Sequence, residues 1–385
     1  MAKPTQSTLT LSFTPYDTWF FRESRPHDAV GASELSSLFP PPVKTLIGAF
    51  RSHLGEQAQI DWRTRYSESL KMDLSDLLGA SNQLGPVSLN GPWIHRQGQR
   101  LYPAPLYLMH KDQDIQRLEI GPTVRCDLGN VRLPQLAAGL KGYKTLENRW
   151  LTSSGLSKCL NGQVPTAQEC FSTQDLFSLE PRLGIARNNQ QRQVLEGKLY
   201  QTQHLRLKAE IDVQLEIHDL PDALLAMANQ ANSPVLRLGG EGRMASLNSQ
   251  NSALDLPDLK PINQDSFVIH FMTAADFNGQ MFPADFTKQQ NNGQTVWQGQ
   301  INGIECQIEA AVIGKAHREG GWDMQNHQPH PVKSYIPAGS AWFCRLTKNH
   351  DWQTLKQQLH GQSIGNDSAF GRGQILIGHW STSHN

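Results

Sequence analysis

Residues 236–243 read Leu-Arg-Leu-Gly-Gly-Glu-Gly-Arg, so that Gly239, Gly240 and Gly242 lie between Arg237 and Arg243. Glycine tolerates positive φ and admits a second backbone at close range. Successive amides in such a turn can form a concave anion site, and flanking guanidiniums add charge and a planar fork. The chemistry on offer is a cradle for a phosphodiester backbone. The same letters also spell a tight turn between strands with two solvated arginines, and a short glycine-rich match does not choose between the two.

Cations recur beside aromatic residues. Residues 15–26 place Trp19, Phe20 and Phe21 directly before Arg22 and Arg25. Lys44 and Arg51 flank an apolar stripe, Arg182 and Arg187 bracket Leu-Gly-Ile-Ala, and Lys198 precedes Tyr200. Single-stranded RNA is held by such mixtures, through phosphate contacts and bases stacked on aromatic or guanidinium planes. The plainer reading is solvated cations and core aromatics. It suits Phe20 and Phe50 best and leaves Trp19 and Tyr200 open.

Other chemistries have weaker carriers. His27 and His53 lie near the basic N-terminal residues and are the candidates for proton transfer in a metal-independent ribonuclease. With 14 histidines in the chain, two such neighbours are expected by chance. His317, His327 and His330 could ligate a transition metal, or simply belong to an exposed polar loop. Asp17 and Asp28 could meet Mg²⁺, but nothing adjacent completes a site. There is no catalytic triad motif and no dinucleotide fingerprint. Residues 239–242 lack the Gly-Lys-Ser/Thr ending of a nucleotide-triphosphate loop. No cofactor is implied.

The elements that must position these residues can be read from periodicity. Strands are expected at 8–13, 85–95, 100–109, 266–273, 304–313, 339–346 and 374–380, with alternation at 8–13 and most clearly over 205–217. Val43, Leu46, Ile47, Phe50 and Leu54 make a helical stripe behind Pro40, Pro41 and Pro42. Further helices are expected at 62–78, 149–160 (with Thr152 or Ser153 as cap), 221–231 and 352–359. Residues 314–331 read as a long exposed loop. The order of elements in each half points to an α+β protein of two βαββαβ modules, 1–200 and 201–385, possible to interlock through the last strand.

Bulk composition narrows the class. The chain has 385 residues, 38% hydrophobic and 18% charged, which suits a packed two-domain protein. Its formal net charge is +0, which argues against a free-standing, high-affinity nucleic-acid binder and suits a subunit that shares nucleic acid with neighbours. Cys126, Cys159, Cys170, Cys306 and Cys344 form no CxxC pair and suit buried thiols in a reducing cytoplasm. Neither a secretory signal nor a membrane span is expected.

Three separated stretches together resemble one family. They are 21–26 with 39–51, then 181–187 with Glu196-Gly197-Lys198-Leu199-Tyr200 and the glycine-rich loop, and finally 336–343 with 370–380. The tail Phe370-Gly371-Arg372-Gly373-Gln374-Ile375-Leu376-Ile377-Gly378 is similar to the glycine signature closing many RAMP proteins. The chain resembles the third subunit of the Cmr effector module of type III-B CRISPR systems over nearly its whole length. It departs from commoner forms in its many Gln and Asn residues and the His-rich 314–331. The resemblance implies two ferredoxin-like (RRM-like) modules and a non-nuclease subunit. It further implies a seat beside a Cas10-type large subunit and a Cmr backbone subunit, gripping the 5′ handle of the crRNA. On this reading Arg22, Arg25, Lys44, Arg51, Arg182, Arg187, Lys198, Arg237 and Arg243, with the glycine loop, line the handle's groove.

Overall fold

The computed structural model describes residues 8–23, 34–79, 83–188, 190–191, 193–230, 234–251, 256–323 and 328–380. The protein is α+β, mostly strands with few helices. It divides into two compact units made of interleaved segments: 1–98, 174–254 and 318–333 form one, and 99–173, 255–317 and 334–385 the other. A boundary at 200/201 falls inside the strand Gln193–Leu207, so the two halves of the sequence are not the two units. Strand pairing between distant segments sets the division.

In the first unit the strands lie in the order Ser88–Arg96, Ile211–His218, Thr8–Pro15, Met244–Asn251, Val235–Arg237. Thr8–Pro15 is central and antiparallel to both neighbours, with Leu11 opposite Leu215 on one side and Ser249 on the other. Leu9, Leu11, Phe13, Val213, Leu215 and Ile217 are all fully buried, as period-2 alternation requires. Chain order here is strand, helix, strand, strand, helix, strand, with Val43–Gln57 and Asp222–Gln230 as the helices. The first of these buries Val43, Leu46, Ile47, Phe50 and Leu54, the expected stripe.

Three local expectations are corrected. Only Leu74–Leu78 of 62–78 is helical. Arg65 and Lys71 take positive φ (57° and 50°), which no helix admits, and the Trp62 ring lies against Gly55. The alternation over 205–217 spans two strands, because the chain turns at 208–210 with Glu210 at φ 62°. The stretch expected as a loop at 314–331 contains the short strands His317–Glu319, Trp322–Asp323 and Gln328–Pro329.

The second unit holds a six-stranded sheet in the order Thr287–Asn291, Gln294–Ile301, Ile304–Val312, Ala341–Leu346, Ser266–Phe271, Ile375–His379. Ser266–Phe271 is buried at every residue, so no alternation marks it out. Between it and Ile304–Val312, where a βαββαβ pattern wants a helix, stands the hairpin Thr287–Asn291/Gln294–Ile301. The helix Ser153–Leu160 lies on the last strand: a Cβ at Gly378 would sit 3.0 Å from the Leu160 Cα. Thr152 caps that helix, its side chain accepting from the Gly155 amide at 3.1 Å.

The tail signature is a turn that feeds the last strand into this sheet. Gly371 and Gly373 have φ of 73° and 66°, and buried Arg372 lies 4.4 Å over the Tyr335 ring. Cys159, Cys306 and Cys344 are buried, but Cys126 is exposed, on the hairpin Glu119–Cys126/Gly129–Gln135. No helix among the described residues is long and apolar enough to cross a membrane.

Candidate nucleic-acid interface

Phe177–Asn188 and Gln193–Leu207 form a long antiparallel ribbon in the first unit. Register decides what each face carries, since opposed residues share a face. Ser178/Arg206, Glu180/His204, Arg182/Thr202 and Gly184/Tyr200 are opposed on one face. Leu179, Leu183, Ile185 and Leu199 share the other and stand exposed to solvent. A side chain at Gly184 would collide with the Tyr200 ring, so glycine there lets the tyrosine lie across the ribbon.

Residues 17–20 thread between this ribbon and the glycine-rich loop. The Trp19 amide donates to the Leu205 carbonyl at 2.9 Å and the Leu205 amide returns the bond at 2.8 Å. Thr18 Oγ1 lies 3.1 Å from His204 Nδ1, and the Phe20 ring stacks on His204 with centroids 5.2 Å apart. The Gly240 amide donates to the Phe20 carbonyl at 2.8 Å.

This threading brings Asp17 into a ring of arginines. Its carboxylate accepts from Arg182 Nη2 at 2.8 Å, Arg206 Nη2 at 2.8 Å and Arg243 Nη1 at 3.3 Å. Glu180 bridges Arg182 and Arg206, each at 2.6 Å. The Asp17 side chain is 49% exposed against 31% for Arg182 and 23% for Arg243. Hydrogen bonds first from Arg182 and then from Arg206 hold the Asp17 and Glu180 carboxyls below their ordinary range. Burial, then the nearby Arg182 and Arg243 charges, depress His204, whose Nε2 lies 3.1 Å from Thr202 Oγ1. Burial and the neighbouring Glu241 raise Tyr200. Three guanidiniums against two carboxylates leave a local excess of one positive charge at a solvent-facing rim.

The model of the CRISPR-associated protein family Cas_Cmr3 matches residues 11–380. The chain belongs to the Cas_Cmr3 family. No curated protein matches the sequence. Solved structures similar to this Cas_Cmr3 chain include a chain of the type III-B Cmr-beta complex seen by cryo-EM bound to cognate target RNA and AMPPnP. That chain is 16% identical with a TM-score of 0.46, over 87% of this chain and 86% of that one. The Csm3–Csm4 subcomplex of a type III-A interference complex gives 11% identity and 0.39, over 89% and 93%. Oligomeric Cmr4 from Pyrococcus furiosus gives 9% and 0.23, over 65% and 100%.

In this Cas_Cmr3 chain the expected cations separate into groups. Arg182 and Arg243 are brought together. Arg206, absent from the sequence-based set, completes the ring with Asp17 and Glu180. Its one signal in the sequence is its place on the wet face of the alternating run, between Leu205 and Leu207. Arg187 pairs in register with Val194, and Lys198 lies beside Leu199 in the same ribbon. Arg237 is exposed on Val235–Arg237. Arg22 bridges to Ser37, Lys44 is half-buried on its helix, and Arg25 lies outside the described residues, as do His27, Asp28 and His327.

Arg51 is a correction. Its guanidinium donates to the carbonyls of Leu78 and, at 3.1 Å, Gln83, and burial with the nearby Arg65 lowers it to about 10. It ties the helix to the chain after 78 instead of facing a groove. The glycine cradle is corrected too. Gly240 has its amide engaged by Phe20, and a Cβ at Gly239 (φ 92°) would sit 2.6 Å from the Phe20 carbonyl oxygen. These two glycines admit the 17–20 segment; Gly242 alone of the three has open space above it. Trp19 is fully buried and Tyr200 half-buried.

Proposed function

We propose that the chain is a non-catalytic RNA-binding subunit of a type III-B CRISPR ribonucleoprotein. It grips the 5′ handle of the guide RNA and joins a Cas10-type large subunit to the Cmr backbone. The observation that carries the reading is the convergence of Arg182, Arg206 and Arg243, from three separate strands or turns, on one half-exposed point. Guanidiniums so arranged match phosphate oxygens in both charge and geometry. The sheet orders support the fold that the reading calls for. In the first unit the four strands run fourth, first, third, second, with a helix in each crossover, which is the ferredoxin-like arrangement. Taking Ser266–Phe271, Ile304–Val312, Ala341–Leu346 and Ile375–His379 as the four, the second unit repeats the order with a hairpin in place of one helix.

Binding without cleavage is supported by the imidazole nearest the arginines. Both nitrogens of buried His204 lie against threonine hydroxyls, and its lowered pKa favours the neutral ring. His53 is on the helix Val43–Gln57 with its Nε2 2.9 Å from Gln57 Nε2. The test is assembly with neighbouring subunits and guide RNA after substituting Arg182 and Arg206, or Arg237 and Arg243, pairwise by alanine. The expected result is guide RNA lost at lower salt than from wild type. Unchanged retention, or cleavage of repeat RNA by the purified chain that a His53→Ala or His27→Ala variant abolishes, overturns the reading.

A further inference from the structure

We propose that Asp17 occupies the seat of an RNA phosphate, so that Arg182, Arg206 and Arg243 form a phosphodiester site that opens when the backbone displaces this carboxylate. The inference rests on the RNA-binding reading above and adds a gate to it.

The geometry is that of an anion site already filled. A carboxylate has about four lone-pair positions, and Asp17 accepts here from three guanidiniums that arrive from different segments of the chain. Sequence separations of 165, 189 and 226 residues rule out a local turn as the origin of the cluster. Without an anion at that point the three cations would repel one another; with it they are held in the orientation a phosphate needs. Phosphate oxygens would take the same N–H donors.

The two carboxylates hold different places. Glu180 lies on the ribbon between Arg182 and Arg206 and fixes their forks from the side. Asp17 lies at the bend after Thr8–Pro15, beside Tyr16, which is 62% exposed, and is itself more exposed than Arg182 or Arg243. An exposed ion pair is individually weak and screened by salt. The side chain that must leave is therefore the one solvent already reaches. Moving it aside raises the local excess from one positive charge to two, which a phosphodiester then lowers again. Gly242, open above the turn, leaves room for the strand to approach Arg243.

The experiment titrates the full-length chain with a fluorescent single-stranded RNA oligonucleotide over a series of salt concentrations, for wild type, Asp17→Asn, Glu180→Gln, Arg206→Ala and the Asp17→Asn/Arg206→Ala pair. Each variant's thermal melt is recorded alongside. Asp17→Asn is expected to tighten binding about three- to tenfold at low salt, and the paired change to erase that gain. Glu180→Gln is expected to weaken binding, because it frees the arginines it orients. If Asp17→Asn gives no gain while Arg206→Ala still weakens binding, the gate is refuted and the RNA-binding reading survives. If no variant alters RNA affinity, that reading fails at this face. A lower melting temperature for Asp17→Asn without tighter binding returns Asp17 to a structural ion pair and overturns the proposal. Inorganic phosphate competing beyond its ionic-strength effect marks a seat for free anions and overturns the phosphodiester assignment.

Discussion

Asp17, Arg182, Arg206 and Arg243 show how far single residues can be read in advance. Arg182 and Arg243 stood out by composition, as basic residues beside glycines. Arg206 did not, and Asp17 stood out only as a candidate for Mg²⁺, because their meaning lies in partners more than 150 residues away, at separations of 189 and 226. Arg51 failed the other way: it looks like a surface cation and caps carbonyls instead. Arg51→Ala is expected to lower stability by about 1–3 kcal/mol, the cost of leaving the carbonyl of buried Leu78 unpaired, without loosening guide RNA. Denaturant unfolding and guide-RNA retention together check this. His270 offers a second residue-scale prediction. It is fully buried, neither ring nitrogen has a hydrogen-bond partner, and burial lowers it to about 3. The unfolded chain, with an ordinary imidazole near 6.5, binds the proton that the folded chain refuses. Stability is thus fully present above about pH 6.5 and declines as pH falls toward 3, by about 2 kcal/mol at pH 5. Denaturation midpoints between pH 7 and 5 measure it, and His270→Leu should reduce the slope but not abolish it, because buried His360, lowered to about 4, titrates on folding in the same window.

At the scale of elements, turns and registers decide which of the sequence's glycines matter. Gly239 and Gly242 both have positive φ, 92° and 64°, but only the first faces a backbone atom, the Phe20 carbonyl. Gly242→Ala should cost about 1–2 kcal/mol from the left-handed backbone alone. Gly239→Ala should cost more, because the 17–20 segment must shift, and should loosen the arginine ring with it. Comparative melting of the two variants tests the claim. The helix Val43–Gln57 was legible from its apolar spacing, and Trp352–Leu359 was expected too; its cap, the Asp351 side chain accepting from the Thr354 amide, came only from the structure. The ribbon was not. Its Leu179, Leu183, Ile185 and Leu199 stand on one face yet are exposed, a placement that no local pattern in the sequence announces.

At the scale of the molecule, the +0 formal charge and the arginine ring belong together. A chain with no basic excess can hold RNA only where its cations are concentrated. One phosphate of a single-stranded RNA held by the ring implies a log–log salt slope of about −0.7, shallow beside that of a dedicated nucleic-acid binder. A slope near zero for the isolated chain would remove the ring from RNA binding. The interleaving of the two units also sets how the chain can be cut. Truncation at 200 severs a ribbon strand from its partner, and neither fragment is expected to fold on its own; circular dichroism of the two pieces checks it.

From the amino-acid order alone came the α+β class, the helix Val43–Gln57, central strands such as Thr8–Pro15, Ser266–Phe271 and Ile375–His379, the family resemblance and two of the three arginines in the ring. Each of these rests on local periodicity, composition or motif, which neighbouring residues suffice to express. Only the tertiary structure decided that the units interleave, that Arg51 turns inward, that two of three loop glycines serve Phe20, and that Asp17 sits among the guanidiniums. These are matters of which distant strands pair and in what register, and a side chain's partner across such a register leaves no mark in its own vicinity of the chain.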